Sequence, residues 1–517
     1  MNHIVFMLEE NRSFDSYFGQ LGAYRAANGY GAATDVDGLP AGATNPADDG
    51  SQIASFHFQT SCIENLSPEW LDSHADYHLY PNAPDSNVFL GNGYVHSASG
   101  FARFEGLVIA NAPISGMVTV TPKDNTNYYL FASSSTLHEP GWGTPIASIL
   151  VTVNGSLTAS SAANIPTAPG VTFTASATAV NPGESVTLTW NVPNAAQVMV
   201  NSWYDQIGRR AMGYYTADDL PYYYFMASNF ATSDRWFAPM PGNSAPNRMY
   251  SMAATTHGHA HDPGSFDSNQ VKNIFQLLDA AGITWRVYSQ KPDLETGTPG
   301  TTLNRFQPFA SQHQANIVPA SQFITDAQNG TLAQVSYIEE LAGQDEHPGA
   351  TLSGNIHSGN NIQAGAQYVQ SLIGAVMSGP NWKDTAFFLT FDEAGGLYDH
   401  VRPIDEVSPD GIPPQDLEQK DIDYISPPGD FTRSGFRVPL IVVSPFAKKN
   451  YVSHTPADYT AVLKFIETRF NLPSLTARDA AQIDMTEFFD FVNVPWATPP
   501  TPPVQKKTLP CNFINLQ

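Results

Sequence analysis

Apolar and polar positions follow three rhythms along the chain. Residues 3 to 9 contain an unbroken apolar run, Ile4-Val5-Phe6-Met7-Leu8, which predicts a short strand buried on both faces. From about 101 to 200 the chain is rich in Val, Thr, Ser, Ala and Asn, in short alternating runs spaced by turn residues, such as Gly116 to Pro122, Ile146 to Val153 and Gly183 to Trp190. Those runs predict a β-sandwich. Beyond 201, Lys272 to Ala281, Gln367 to Met377 and Tyr459 to Phe470 have helical spacing, while Thr284 to Tyr288, Thr385 to Phe391 and Val438 to Val443 read as strands. Strands alternating with helices predict an α/β body with a mainly parallel sheet covered on both faces. The proline-rich stretch Pro495 to Pro503 is expected to be extended.

Three segments follow. Residues 1–100 and 201–517 are the two parts of one α/β domain, and 101–200 is an insert. Within the insert, Pro182 to Asn191 looks like the opening strands of a bacterial Ig-like module, and Val118 to Asn154 like the closing strands. The closing half comes first, so a circularly permuted Ig-like domain is expected. Two half-modules that pair with other copies are the alternative.

Composition narrows the setting. Of 517 residues, 42% are hydrophobic, enough for a large core, and only 14% are charged. Low charge with many small polar and aromatic residues leans towards an exported protein, so a secreted or periplasmic location is expected. Acidic residues outnumber basic ones 48 to 24, a net charge of −24. Such a field repels polyanions and argues against nucleic-acid binding. Cys62 and Cys511 are too few for a disulfide scaffold; they either pair, tying the C-terminal tail to the N-terminal part, or stay as separate buried thiols. No apolar run of about 20 residues is present, so no transmembrane helix is expected. No signal peptide is visible, and a leader upstream of Met1 is compatible with the sequence.

The chemistry lies just past the strands. Glu10 and Asn11 follow the first strand, where open α/β sheets bind ligands, and they offer hard oxygens to a divalent cation. Read locally, Asn11 or Ser13 is a helix cap. Asp392 and Glu393 follow the Thr385 to Phe391 strand and precede Gly395-Gly396. Two adjacent acids there need solvent or a metal to neutralise them. Gly242 to Arg248 is a turn-rich segment with Ser244, a hydroxyl that becomes a nucleophile only with a base or metal, and Arg248, which could grip phosphoryl oxygens. No Gly-x-Ser-x-Gly elbow accompanies it. His74 and His78, the alternating trio His257, His259 and His261, and His347 are candidate ligands or acids, or solvated loop histidines. The run Tyr222-Tyr223-Tyr224-Phe225 reads as core, or as a cation–π cradle.

Together these motifs resemble the bacterial phosphoesterase family that includes non-haemolytic phospholipases C and a secreted acid phosphatase. The matching segments are Glu10 to Gly19, Ser244 to Arg248, Glu346-His347-Pro348, Asp392 to Val401, Arg437 to Ala447 and Tyr451 to Thr455. The resemblance implies an alkaline-phosphatase-like three-layer α/β/α sandwich. It implies a divalent metal (Ca, Mg, Mn or Zn) on Glu10, Asn11, Ser244, Asp392 and Glu393. It also implies Ser244 as nucleophile through a phosphoseryl intermediate, with His347, His74, Asn11 and Arg248 assisting. His357, in extra residues after His347, is an alternative to it. The implied substrates are small phosphate esters or phospholipids, mono- or diesters, and the Ig-like insert would contact a surface or another protein. Two rival readings stand beside this one. A sulfatase-like or other hydrolase on the same fold is suggested by the Ser-x-Pro-x-Arg letters of Ser244 to Arg248, and an inactive adhesion or binding protein by the insert.

Overall fold

The structure is a computed structural model that describes residues 1–46, 52–63, 66, 68–70, 73–74, 105–122, 125–133, 145–155, 165–203, 209–289, 301–339, 344–348, 361–424 and 429–511. His78 and His357 lie outside the described residues. An eight-stranded sheet runs in the order Ile317–Pro319, Trp285–Ser289, Val335–Ile338, His3–Glu9, Thr385–Phe391, Leu440–Val443, Ala231–Ser233, Tyr451–Ser453. Pairing is parallel from the first edge as far as Thr385–Phe391. Leu440–Val443 runs antiparallel to both of its neighbours.

The two central strands carry the apolar runs. Every residue of Thr385–Phe391 is buried, as are Ile4 to Glu9 of the first strand. Successive side chains point to opposite faces, and their partners identify what covers each. Phe388 meets Phe465 of the helix Ala461–Phe470, while Phe387 meets Phe323 of the helix Gln322–Asn329. Helices therefore pack on both sides of the sheet. Ser244–Ala253 joins the first group by touching Ile274–Ala280 and Ala461–Phe470; Ile362–Ser378 and Pro221–Asn229 join the second. The tyrosine run falls inside the helix Pro221–Asn229, with Tyr222, Tyr223 and Tyr224 buried.

The described residues between 105 and 203 form two further sheets. One is five-stranded: Ala179–Val180, Ala147–Val153, Thr126–Ser133, Gln197–Trp203 and Glu105–Ala112. The other is three-stranded: Ser115–Val120, Val186–Asn191 and Thr172–Ala175. Alternation turns Leu188 and Trp190 inward, and they share one hydrophobic cluster with Leu130, Val151 and Val200 of the larger sheet. That cluster is distinct from the core around the eight-stranded sheet.

The C-terminal stretch is strapped to the body. Cys511 bonds to Cys62 across 449 positions. Beside it, Ser61 donates its backbone N–H to Pro510 O at 2.8 Å, and Gln363 Oε1 accepts from Thr508 N at 2.8 Å. Closing so long a loop restricts the unfolded chain most. Replacing Cys511 by Ser is expected to lower stability by about 2–4 kcal/mol, and reductant should lower the thermal midpoint of the parent to that of the variant, both read by calorimetry.

Candidate active site

Strand pairing brings the distant motifs together. His3–Glu9 and Thr385–Phe391 are parallel and in register, with Glu9 opposite Phe391, so Glu10-Asn11 and Asp392-Glu393 leave the sheet side by side at its carboxyl end. The Asp392 N–H donates to Glu9 O at 3.0 Å, and Asp392 Oδ1 accepts from the N–H groups of Asn11 (3.1 Å) and Glu393 (2.8 Å). Asn11 has φ +58°, a left-handed conformation that Asn tolerates better than most residues. Gly395, itself at φ +66°, lies so close that a Cβ there would sit 2.4 Å from Asn11 O.

Ser244 arrives from above on the helix Ser244–Ala253. Pro246 falls in its first turn, where a missing N–H is harmless. Ser244 and Arg248 are four positions apart, which puts both on one helix face. Ser244 Oγ donates to Glu10 Oε2 at 3.1 Å and reaches Asn11 Oδ1 at 3.3 Å. Arg248, buried, donates Nε to Asp392 Oδ2 at 3.0 Å and Nη2 to Glu10 Oε1 at 2.8 Å, with Nη1 3.9 Å from Glu339 Oε2. Its guanidinium thus ties the two acidic pairs to each other. Glu393 is buried; burial and then the Asp392 charge raise its pKa well above the usual carboxylate range, and its Oε1 has no hydrogen-bond partner.

His347 Nε2 is 3.8 Å from Glu10 Oε2, and its side chain is partly open to solvent. The preceding Glu346 has φ +64° and points the other way, fully buried, accepting from Tyr17 Oη (2.5 Å) and Tyr223 Oη (2.6 Å). Burial lifts Glu346 to about 7 against the lowering effect of those two hydroxyls. His74 is buried in a different contact, its ring tilted against Trp70 at 4.1 Å between centroids, with Nδ1 2.8 Å from Trp70 O. The structure therefore gathers Glu10, Asn11, Ser244, Arg248, Asp392 and His347 by direct contacts, with Glu393 adjoining, and sets His74 against tryptophan.

Glu339, Tyr459 and Glu69 also contact the site and stand outside the candidate residues named from the sequence. Glu339 directly follows the buried strand Val335–Ile338, the same signal that marked Glu10 and Asp392. Tyr459 donates its hydroxyl to Asp392 O at 3.2 Å, and Glu69 Oε1 accepts from Asn243 Nδ2 at 3.2 Å; neither residue carries a local mark.

The alternating histidines each face an aspartate from one later segment: His257 with Asp410 (3.9 Å), His259 with Asp416 (3.1 Å) and His261 with Asp421 (2.8 Å). Among the described residues, the group of acidic and histidine ligand atoms close enough to share an ion is a different one, Asp15, Asp399 and His400. There the buried Arg437 already contacts Asp15 at 3.1 Å and Asp399 at 2.8 Å, with its guanidinium 4.4 Å from the centre of the Phe14 ring. A fixed cation fills the role of a metal, and the cluster reads as a clamp between the first strand's exit and the later motifs. The open oxygen of Glu393, with the carboxylate, amide and hydroxyl oxygens around Ser244, is the donor set that suits a hard divalent cation.

Sheet and site together define an α/β protein with an acidic, oxygen-lined centre at its strand ends. The sequence matches the Phosphoesterase family over residues 1–139 and 147–473, and the chain belongs to that family. It is 31% identical over 325 residues to phospholipase C B of Mycobacterium tuberculosis, covering 56% of this chain and 58% of that protein. Against the non-hemolytic phospholipase C of Pseudomonas aeruginosa it is 29% identical over 357 residues, covering 62% and 50%. Against a non-specific phospholipase C of Arabidopsis thaliana it is 31% identical over 288 residues, covering 50% and 48%. The chain thus spans about half the length of these relatives. A phosphonate monoester hydrolase from Silicibacter pomeroyi superposes with a TM-score of 0.31 at 12% identity over 50% of this chain and 70% of that one, a likeness too slight to add to the fold described above.

Two outcomes follow from the ion pairs. Arg437→Met leaves two buried carboxylates without their cation and should lower stability by about 3–5 kcal/mol in chemical denaturation. His261 is raised to about 9 by its hydrogen bonds to Glu69 and Asp421, against the opposing effect of burial. A raised histidine stabilises fully below its unfolded value of about 6.5 and loses that contribution as pH climbs through about 9. The gap in thermal midpoint between the parent and His261→Gln should therefore shrink across that window.

Proposed function

We propose that the chain is a metal-dependent phosphoesterase that cleaves phosphate mono- or diesters, with Ser244 as nucleophile and a phosphoseryl intermediate. The observation that carries this reading is the Ser244 hydroxyl, held 3.1 Å from Glu10 Oε2 and 3.3 Å from Asn11 Oδ1 at the end of the central strand His3–Glu9. The phospholipases C among the relatives support the class of bond broken.

Glu10, Asn11, Ser244, Asp392 and Glu393 would hold the cation. Once bound, it supplies Lewis-acid chemistry, lowering the pKa of a neighbouring hydroxyl and offsetting phosphoryl charge. The chain's own residues do the rest. Glu10 Oε2 accepts the hydrogen bond of the Ser244 hydroxyl and orients it, and the proton passes to solvent. Arg248 keeps Glu10 and Asp392 in place rather than reaching outward. The Ser244 oxygen attacks phosphorus in line, and the Asn11 side chain borders the phosphoryl group. His347, 3.8 Å from Glu10 and partly exposed, donates a proton to the departing alcohol. Water then releases the phosphate from serine.

In this reading the body is alkaline-phosphatase-like, and residues 105–203 are a permuted Ig-like sandwich that contacts a surface or another protein. The separate hydrophobic cluster of that segment supports a sandwich packed on its own core. The disulfide between Cys62 and Cys511 supports a secreted or periplasmic location. Among the described residues no helix is long and apolar enough to cross a membrane.

Ser244→Ala is expected to fold normally and to lose nitrophenyl phosphate and nitrophenyl phosphorylcholine hydrolysis by about three orders of magnitude or more. Full activity in the folded variant refutes the nucleophile. Chelation followed by single-metal add-back should abolish and restore turnover. Nitrophenyl sulfate, run in the same panel, separates a sulfatase from a phosphoesterase.

A further inference from the structure

The residue before the nucleophile is held in an unusual way. Asn243 is the N-cap of the Ser244–Ala253 helix, yet its side chain makes no capping hydrogen bond. Its Nδ2 donates to Glu69 Oε1 at 3.2 Å instead, and its Oδ1 is buried without a partner. An N-cap asparagine ordinarily stabilises its own helix by about 1 kcal/mol; here that use is given up for a contact 174 positions away in sequence.

Glu69 is in turn held from behind. Its Oε2 lies 3.5 Å from His261 Nδ1, and the other ring nitrogen, Nε2, lies 2.8 Å from Asp421 Oδ2. Asp421 is buried and also accepts from Glu418 N at 2.8 Å. Next to these, His259 Nδ1 meets Asp416 Oδ2 at 3.1 Å and Gln415 N donates to Gly258 O at 2.8 Å, so the two outer segments are laced together. Inside the turn, Met240 N donates to Asn247 Oδ1 at 3.1 Å and Asn247 Nδ2 donates to Gly242 O at 2.8 Å. The turn that presents Ser244 is thereby fastened at both ends, and on the solvent side the fastening is Glu69.

We propose that Glu69, backed by His261 and Asp421, is a positioning residue that fixes Asn243 and so aims the Ser244 hydroxyl at the acidic centre. This rests on Ser244 being the nucleophile. Glu69 touches no reacting atom in this scheme. It acts through the backbone turn, so its loss should slow the chemical step while leaving substrate binding largely intact. Small displacements of a reacting group are enough for that, with rate losses of about a hundredfold for a shift near 1 Å.

Steady-state kinetics on nitrophenyl phosphate with the metal-loaded full chain test it. Glu69→Ala is expected to lower kcat by about ten- to a hundredfold, with KM changed by less than about threefold. Glu69→Gln, which keeps an acceptor for the Asn243 amide, should recover most of kcat. Asn243→Ala should lose as much as Glu69→Ala, and the double variant no more than either alone, as expected for one shared contact. If Glu69→Ala does not fold, Asn243→Ala, which spares the Glu69–His261 pair, carries the same test. A kcat for Asn243→Ala or Glu69→Ala within about twofold of the parent, or losses that multiply in the double variant, overturns the positioning role. Active Ser244→Ala would instead overturn the nucleophile itself, so the two failures are told apart.

Discussion

Everything at the site depends on the parallel, in-register pairing of His3–Glu9 with Thr385–Phe391. Sheet hydrogen bonds fix the two strand ends to within one residue, and a one-residue slip would turn every side chain to the other face. With register set, Asp392 accepts the Asn11 N–H, and the acidic pairs lie side by side without any loop having to search for the other. Phe387 against Phe323 and Phe388 against Phe465 seat the Thr385–Phe391 strand between helices on its two faces.

Concentrating acid there needs compensation, which comes from two buried arginines. Arg248 binds Glu10 and Asp392 at the centre, and Arg437 binds Asp15 and Asp399 one layer away. Each joins a residue of the first motif to one beyond position 390. In a chain with net charge −24 and 24 basic residues, placing guanidinium groups between acids at two such points keeps the motifs from repelling each other. Arginine suits this because its planar fork can serve two carboxylates at once and stays charged when buried.

Much of this was legible in the residues. Both central strands match their apolar runs, which are short and rich in β-branched and aromatic residues. The alternation of residues 115–120, 147–153 and 186–191 matches three strands of the two smaller sheets. The helix expected from Gln367 begins earlier, at Ile362, because Asn361 caps it by accepting from Gln363 N and Ala364 N. Gly365 hid that start: it weakens helical propensity, and it is there because a Cβ would strike Glu346. At the site, acids just past buried strands were visible, whereas Glu69 was not, since its meaning depends on Asn243 in another part of the chain. The histidine trio suggested a metal by spacing and instead meets aspartates more than 150 positions away, which no local pattern reports.

Gly395 has a bearing on how the family can diverge. Its backbone lies against Asn11 so closely that the smallest side chain would overlap a carbonyl oxygen, and its φ of +66° is one that other residues resist. Sequence drift at this position is closed off as long as the centre is kept. A side chain there would have to part Asn11 from the Asp392 turn, so the centre can be opened without changing a single acid.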